Sequence, residues 1–349
     1  MKRQIVRRPS VVVTLGPWHR HPWWWEHIDH DDDVCRLDYV RLDYKGKGSQ
    51  QIKTRELPFV VMKIAAWFFR AGRKYDYIYT FECDLVGWVI SALQTALRLR
   101  RPYHVILQFI MRERQPVLSS TLKYWVMKWV FSSVYKLVCS SRSEIGYYRE
   151  AFGWNADKFA FVPFHTSPEF LAGTGQRKGD YWLAAGRTFR DYDTLLRAVQ
   201  GWDGRLILVA GQGAKAKYTG YGNIEVMENI PLAELTELMK DCKAVVVPLE
   251  NRKISIGQSI ILQAMAMKKP VVATRTAGTE DYIQHCVTGL LVEPGNAADL
   301  RAMLELLDDD AMYRSMADAA HRTVLERHLP RQYAKGVRDA ISYGKEVML

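Results

Sequence analysis

The 349-residue chain is 48% apolar and 25% charged, the balance of a folded globular protein rather than a disordered one, and its length allows two domains of ordinary size. Its net charge is +11, and ten of those excess positive charges fall within residues 1–170, which points that half toward an anionic surface. The five cysteines, Cys35, Cys83, Cys139, Cys242 and Cys286, are scattered, odd in number and without a CxxC pair, so reduced thiols in a cytoplasmic chain are expected rather than a disulfide framework.

Basic residues precede a short apolar run from Val11 to Leu15. The run lacks a small-residue cleavage site and reads as a first strand, not a signal peptide. Strand and helix signals then alternate. Strands are expected at Ser10 to Leu15, Val34 to Leu42, Tyr77 to Phe81, Tyr103 to Phe109, Tyr135 to Cys139 and Phe159 to Pro163. Helices fall between them at Leu57 to Arg73, from an Asp84 cap to about Arg100, at Ser119 to Ser133, and from Ser140 or Ser141 through Ala151. The segment from His165 to Gly179 is rich in Gly, Ser and Thr and lacks periodicity, which places a linker at 169–179.

A second alternation follows. Strands are expected at Tyr181 to Ala185, Arg205 to Ala210, Ala244 to Pro248, Val271 to Thr274 and Leu290 to Val292. Helices are expected at Asp193 to Gln200, Leu232 to Cys242, Ile260 to Met267, Ala297 to Leu307 and Asp310 to His328. A basic amphipathic helix begins at Pro330. Strands separated by helices imply parallel βαβ units and doubly wound sheets. The expected domains are 1–168 and 180–329, with the helix of 330–349 packing back on the first.

Chemistry concentrates in the second half. Gly257, Gln258 and Ser259 form a turn that opens a helix, the arrangement with which an α/β sheet binds an anion at a helix N-terminus. Arg187 and Arg190 follow a strand, on the crevice side of such a sheet, where arginines grip phosphates bidentately. The alternative for Arg190 is a surface ion pair with Asp191 or Asp193.

The strings GRTFRDYDTLLRAV, LVAGQG, IPLAELTELMKDCKAVVVPL and LQAMAMKKPVVATRTAGTEDYIQHCVTGLLVEPGNAADL occur in that order. Together they resemble the donor domain of GT-B glycosyltransferases, and most of all the group-one family that uses nucleotide-diphosphate sugars. The resemblance implies two Rossmann-like domains facing each other across a cleft. It assigns Arg187 and Arg190 to the donor diphosphate, with Lys253 assisting, and the backbone N–H groups of Gly257, Gln258 and Ser259 to a phosphate. Gln263 stands where the family binds the ribose hydroxyls, and the loop Met227 to Ile230 where it contacts the base. Where the family carries two glutamates this chain has Ser255 and Gln263, which leaves retaining or inverting transfer open. No cofactor is implied beyond the nucleotide-diphosphate sugar itself.

Sugar transfer to an acceptor hydroxyl by inversion needs a general base, expected on a loop after a strand of the first half. Glu113 is the first candidate; Glu82 and Asp84 come next, with Asp84 also suited to a helix cap. The segment from Gly16 to Asp33 holds His19, His21, His27 and His30 beside aspartates, in a spacing that matches no zinc pattern, and Trp23, Trp24 and Trp25 suit an acceptor loop. Trp125 and Trp129 share a face of one helix, with Lys123 and Lys128 elsewhere on it, which fits peripheral association with an anionic membrane; the run is too short and charged to span one. The expected function is transfer of a sugar to a lipid-linked or glycan acceptor at the cytoplasmic membrane face, without nucleic acid. The alternatives are a nucleotide-sugar epimerase and a catalytically inactive GT-B binding module.

Overall fold

The computed structural model describes residues 9–15, 35–42, 52–115, 117–173, 179–218, 220 and 222–341. The chain divides into two compact units, Met1–Val162 with Ala334–Leu349, and Pro163–Tyr333.

The first unit holds a six-stranded sheet in the order β2-β1-β3-β4-β5-β6, with every pair parallel. Its strands are β1 (Ser10–Leu15), β2 (Arg36–Arg41), β3 (Tyr77–Phe81), β4 (Tyr103–Leu107), β5 (Lys136–Cys139) and β6 (Phe159–Phe161). Helices α1 (Leu57–Arg70), α2 (Leu85–Ala96), α3 (Leu118–Val130) and α4 (Arg142–Phe152) connect them. Val12, Ile78, Ile64, Phe68 and Ile90 form one of its cores, closing the sheet under α1 and α2. Helix starts follow the caps expected of the sequence. The Asp84 carboxylate accepts from the Gly87 N–H at 2.7 Å, and Ser141 with Glu144 forms a capping box at α4.

The second unit repeats the plan with β7 (Tyr181–Ala185), β8 (Arg205–Ala210), β9 (Ile224–Glu228), β10 (Ala244–Val247), β11 (Val271–Thr274) and β12 (Leu290–Val292), again all parallel. Its helices are α5 (Tyr192–Val199), α6 (Ala214–Tyr218), α7 (Leu232–Asp241), α8 (Gln258–Ala266), α9 (Ala297–Leu306) and α10 (Asp310–Arg327), while α11 (Pro330–Ile341) starts in this unit and from Ala334 belongs to the first. Strands β7, β10 and β11 are buried along their whole length, as strands covered on both faces must be, which is why they read as unbroken apolar runs. The sheet order is β12-β11-β10-β7-β8-β9. The chain therefore winds outward in one direction from β7 and in the other from β10, and the topological switch point lies between these two strands.

Candidate functional site

Ligands of open parallel sheets sit outside the C-terminal ends of the strands at the switch point. In the second unit those ends are Ala185-Gly186 after β7 and the segment from Pro248 to Gly257 after β10. The two loops are laced together. The Asp191 N–H donates to the Pro248 carbonyl at 3.1 Å, the Glu250 N–H to the Phe189 carbonyl at 3.1 Å, and Arg190 bridges Leu249 in antiparallel fashion. Asp191 then caps α5 by accepting from the Thr194 N–H at 3.0 Å.

This lacing fixes Arg190. Its Nε donates to the Ala185 carbonyl at 3.3 Å and its Nη1 to the Thr188 carbonyl at 2.9 Å. A guanidinium has five N–H donors, so others remain for a ligand in the cavity that Arg190 lines. Burial lowers its pKa from the usual arginine value, an effect opposed by Tyr192, yet arginine stays charged in proteins. A partly desolvated cation of this kind is relieved by an anion placed beside it.

The second wall is the N-terminus of α8. Gly257 precedes it in the left-handed region (φ 88°) and supplies no side-chain cap. The first helical bond runs from the Ile261 N–H to the Gly257 carbonyl at 3.2 Å, so the N–H groups of Gln258, Ser259 and Ile260 have no partner within the helix. They join the positive end of the helix dipole. Arg190, Gly257, Gln258, Ser259 and Gln263 line one cavity of about 190 Å³ together with Gly186, Ile260 and Leu235. The loop behind it is tight. The Gln258 amide donates to the Ser255 hydroxyl, and a Cβ on Gly278 would stand 2.7 Å from Gln258 Nε2 and 2.9 Å from the Ile256 nitrogen.

Five of the nine donor-site residues expected from the sequence therefore meet in one cavity, and four lie outside its lining. Arg187 is exposed after β7 with its stem beside Gly211, and Lys253 is exposed on the loop before Gly257. Met227 belongs to the edge strand β9, where it pairs with Val209, rather than to a loop; Ile230 lies on the short connection to α7. Leu235 is not distinguished along the chain, because its spacing from Leu232 and Leu238 reads as an ordinary apolar stripe.

In the first unit the switch point lies between β1 and β3. Glu82 and Asp84 follow β3, and the Glu82 N–H donates to the Leu107 carbonyl at 2.8 Å, so the loops after β3 and β4 run side by side. Glu82 adopts a left-handed φ of 51°, and burial raises its carboxyl pKa above the usual range even though much of the residue is exposed to solvent. Burial also raises Asp84, to about 7, against the opposing pull of the Gly87 N–H. Glu113 is half-buried in the segment after β4. Three tyrosines clamp that segment: Tyr148 Oη accepts from the Met111 N–H at 2.8 Å, Tyr147 Oη from the Arg114 N–H at 2.7 Å, and Tyr124 Oη donates to the Arg112 carbonyl at 2.7 Å. The histidine- and tryptophan-rich segment from Gly16 to Asp33 lies outside the described residues. Among the described residues no helix is long and apolar enough to cross a membrane.

Residues 182–309 match the family model of glycosyl transferases group 1. An uncharacterized glycosyltransferase of Methanocaldococcus jannaschii is 23% identical over 211 residues, 58% of this chain; the chain spans 58% of that relative's length. A glycosyltransferase from Rickettsia africae superposes with a TM-score of 0.69 at 14% identity, over 98% of this chain and 100% of that one. Anabaena HepE, solved in complex with UDP and glucose, superposes with a TM-score of 0.66 at 15% identity, over 96% of this chain and 100% of that one. The second unit thus carries the match to glycosyl transferases group 1, in a chain with the GT-B fold of glycosyltransferases.

Proposed function

We propose that the chain is a glycosyltransferase that takes a sugar from a nucleotide-diphosphate donor held in the second unit. The observation that carries this is the convergence of Arg190 and the uncapped N-terminus of α8 on one cavity at the sheet's switch point. That pairing suits a diphosphate and needs no resident cofactor. Arg187 and Lys253 lie on the same loops and extend the cationic grip; Gln263 offers an amide to ribose hydroxyls, and Met227 and Ile230 flank the base. HepE, with the same fold, was solved with UDP and glucose, which supports a donor of this class.

In transfer, the bond between the sugar's anomeric carbon and the diphosphate oxygen breaks, and the electron pair leaves with the diphosphate. Cations and backbone N–H groups stabilise that leaving charge. A new bond forms to the acceptor oxygen, whose proton passes to a carboxylate if transfer inverts the centre. Glu82 here takes precedence over Glu113, the first candidate from the sequence, as that base, both lying on the same sheet edge. Its place after β3, beside a switch point, and its raised pKa support the choice.

The acceptor is a lipid-linked or glycan hydroxyl, met at the anionic cytoplasmic face of a membrane. Helix α3 supports this reading: Leu118, Leu122, Trp125 and Trp129 are all more than half exposed, with Lys123 and Lys128 on the same helix. Exposed aromatic and aliphatic side chains beside lysines suit an anionic interface. Calorimetry with UDP, GDP and ADP on the wild type and on Arg190→Ala tests the donor site; a nucleotide bound equally by both proteins would sink the assignment. Flotation with anionic and neutral vesicles tests the surface. Binding to anionic vesicles that salt weakens is expected, and failure on both removes the membrane reading.

A further inference from the structure

A groove of about 820 Å³ in the first unit opens at the N-terminal ends of β4 and β5, where Tyr103 and Lys136 begin their strands. Glu82 and Glu113 follow the C-terminal ends of β3 and β4, roughly 16 Å away at the ordinary rise of a five-residue strand. The groove is therefore separate from the sheet edge at which α/β folds hold their usual ligands.

Its lining is cationic. Arg98, Arg100, Lys136 and Lys158 contribute, against the single carboxylate of Asp157. Among the described residues none of these four cations has a carboxylate within ion-pair distance. Lys158 is held by the Ser132 and Val134 carbonyls at 2.9 and 2.8 Å and lies 5.1 Å from the Trp154 ring. Burial pushes its pKa down to about 8, the mark of a cation without a counter-charge.

Two further observations point to a ligand. Gln94, only 1% exposed, lines the groove; its Nε2 donates to the Pro102 carbonyl at 2.6 Å, while its buried Oε1 has no hydrogen-bond partner. Buried amide oxygens are nearly always satisfied, so this one keeps the capacity to accept a further hydrogen bond. Arg98 sits just past α2 in the left-handed region (φ 53°), with the Leu99 N–H bonded to the Gln94 carbonyl at 2.8 Å. This is the helix-ending position that favours glycine. A long cationic side chain stands there against the backbone's preference.

We propose that this groove is a second ligand site and that it takes a phosphorylated sugar. Arg98, Arg100 and Lys136 supply the forked and point cations that phosphate needs. The half-buried rings of Tyr103 and Trp154 add apolar lining beside a sugar, and Gln94 Oε1 suits a hydroxyl. The volume fits a sugar phosphate and far exceeds a single ion. The site is independent of the donor reading, since none of its residues belongs to the second unit.

The experiment is calorimetry on the full chain with the 6-phosphates of glucose, mannose and N-acetylglucosamine, glucose 1-phosphate, free glucose and inorganic phosphate. At least one sugar phosphate is expected to bind at least tenfold more tightly than glucose or phosphate. The double variant Arg98→Gly, Arg100→Ala should weaken it at least tenfold with an unchanged melting temperature, because glycine is at ease at position 98. Arg190→Ala, in the other cavity, should leave it unaltered. No binding by any sugar phosphate, equal binding by inorganic phosphate, an unaffected double variant, or a loss caused by Arg190→Ala would each overturn the proposal.

Discussion

A side chain at Gly186 and the guanidinium of Arg190 would occupy the same space. A Cβ built on Gly186 falls on the Nε, Cζ and Nη2 atoms of Arg190, and Gly186 itself has φ 145°, open only to glycine at low cost. The glycine thus lets the arginine fold back across the end of β7 and reach the cavity. Gly186→Ala is expected to displace Arg190 and to cost about 1–3 kcal/mol of stability from the backbone alone. Donor affinity should fall about tenfold or more, the loss expected for a charge-assisted contact. Thermal unfolding and calorimetry with nucleoside diphosphates check both; a variant with wild-type affinity would show that Arg190 does not hold the donor.

Tyr192 supports the same turn from the helix side. Its Oη donates to the Gly186 carbonyl at 2.7 Å. Tyr192→Phe keeps the packing with Tyr218, whose ring centroid is 5.8 Å away, and leaves that carbonyl without its donor. A destabilisation of about 1–2 kcal/mol is expected. Donor affinity should change far less than in Gly186→Ala, because the guanidinium keeps its bonds to the Ala185 and Thr188 carbonyls. An unchanged melting temperature would mean that the turn holds without this bond.

Glu82 is the carboxylate expected to matter most for turnover. Glu82→Gln keeps its size and removes its basicity, so kcat should fall by about 10²–10⁴, the usual contribution of a positioned base. Nucleotide binding by the second unit should be unaffected. Glu113→Gln should cost less, since the Tyr124, Tyr147 and Tyr148 clamp fixes the backbone around Glu113 whatever its charge. Rates measured with a donor identified by nucleotide binding decide between them, and a Glu82→Gln enzyme with normal kcat removes Glu82 from the mechanism.

Much of this site was legible in the sequence because its parts are local. A buried parallel strand must be apolar throughout, so β7, β10 and β11 stand out, and an uncapped glycine turn before α8 marks an anion site. The edge strand β9, with the sequence IEVME, escaped notice because edge strands carry charges and are only half-buried. For that reason Met227 reads as loop along the chain, whereas it pairs with Val209 in β9. Helix α2 ends at Ala96 rather than near Arg100, because Arg98 turns left-handed where its side chain gives no hint of a stop. Which arginine lines the cavity is a different matter. Arg187 and Arg190 look alike along the chain, and only the lacing of Asp191 and Glu250 to the neighbouring loop separates them. The tyrosine clamp around Glu113 joins residues more than ten positions away in sequence, and no local signal announces it.

Asp84 links the helix cap to pH. Burial raises its pKa from the model-peptide value of 3.8 to about 7, the Gly87 N–H opposes the rise, and the charge of Glu82 adds to it. The fold therefore favours the protonated carboxyl. Its stabilising contribution is fully present below pH 4 and is lost as pH rises through about 7, where the buried group ionises. Asp84→Asn keeps an oxygen acceptor for the Gly87 N–H, 2.7 Å away, and cannot ionise. Its melting temperature relative to the wild type should rise steadily from pH 4 to 7 and level off above that. His104 acts with the opposite sign: burial between Thr80 and Ser91 lowers its pKa to about 3, so stability is lost as pH falls below the usual histidine range. That term is present in both proteins and cancels in the difference. Melting curves at unit pH steps from 4 to 8 make the comparison, and a difference that does not vary with pH would show that Asp84 ionises normally in the fold.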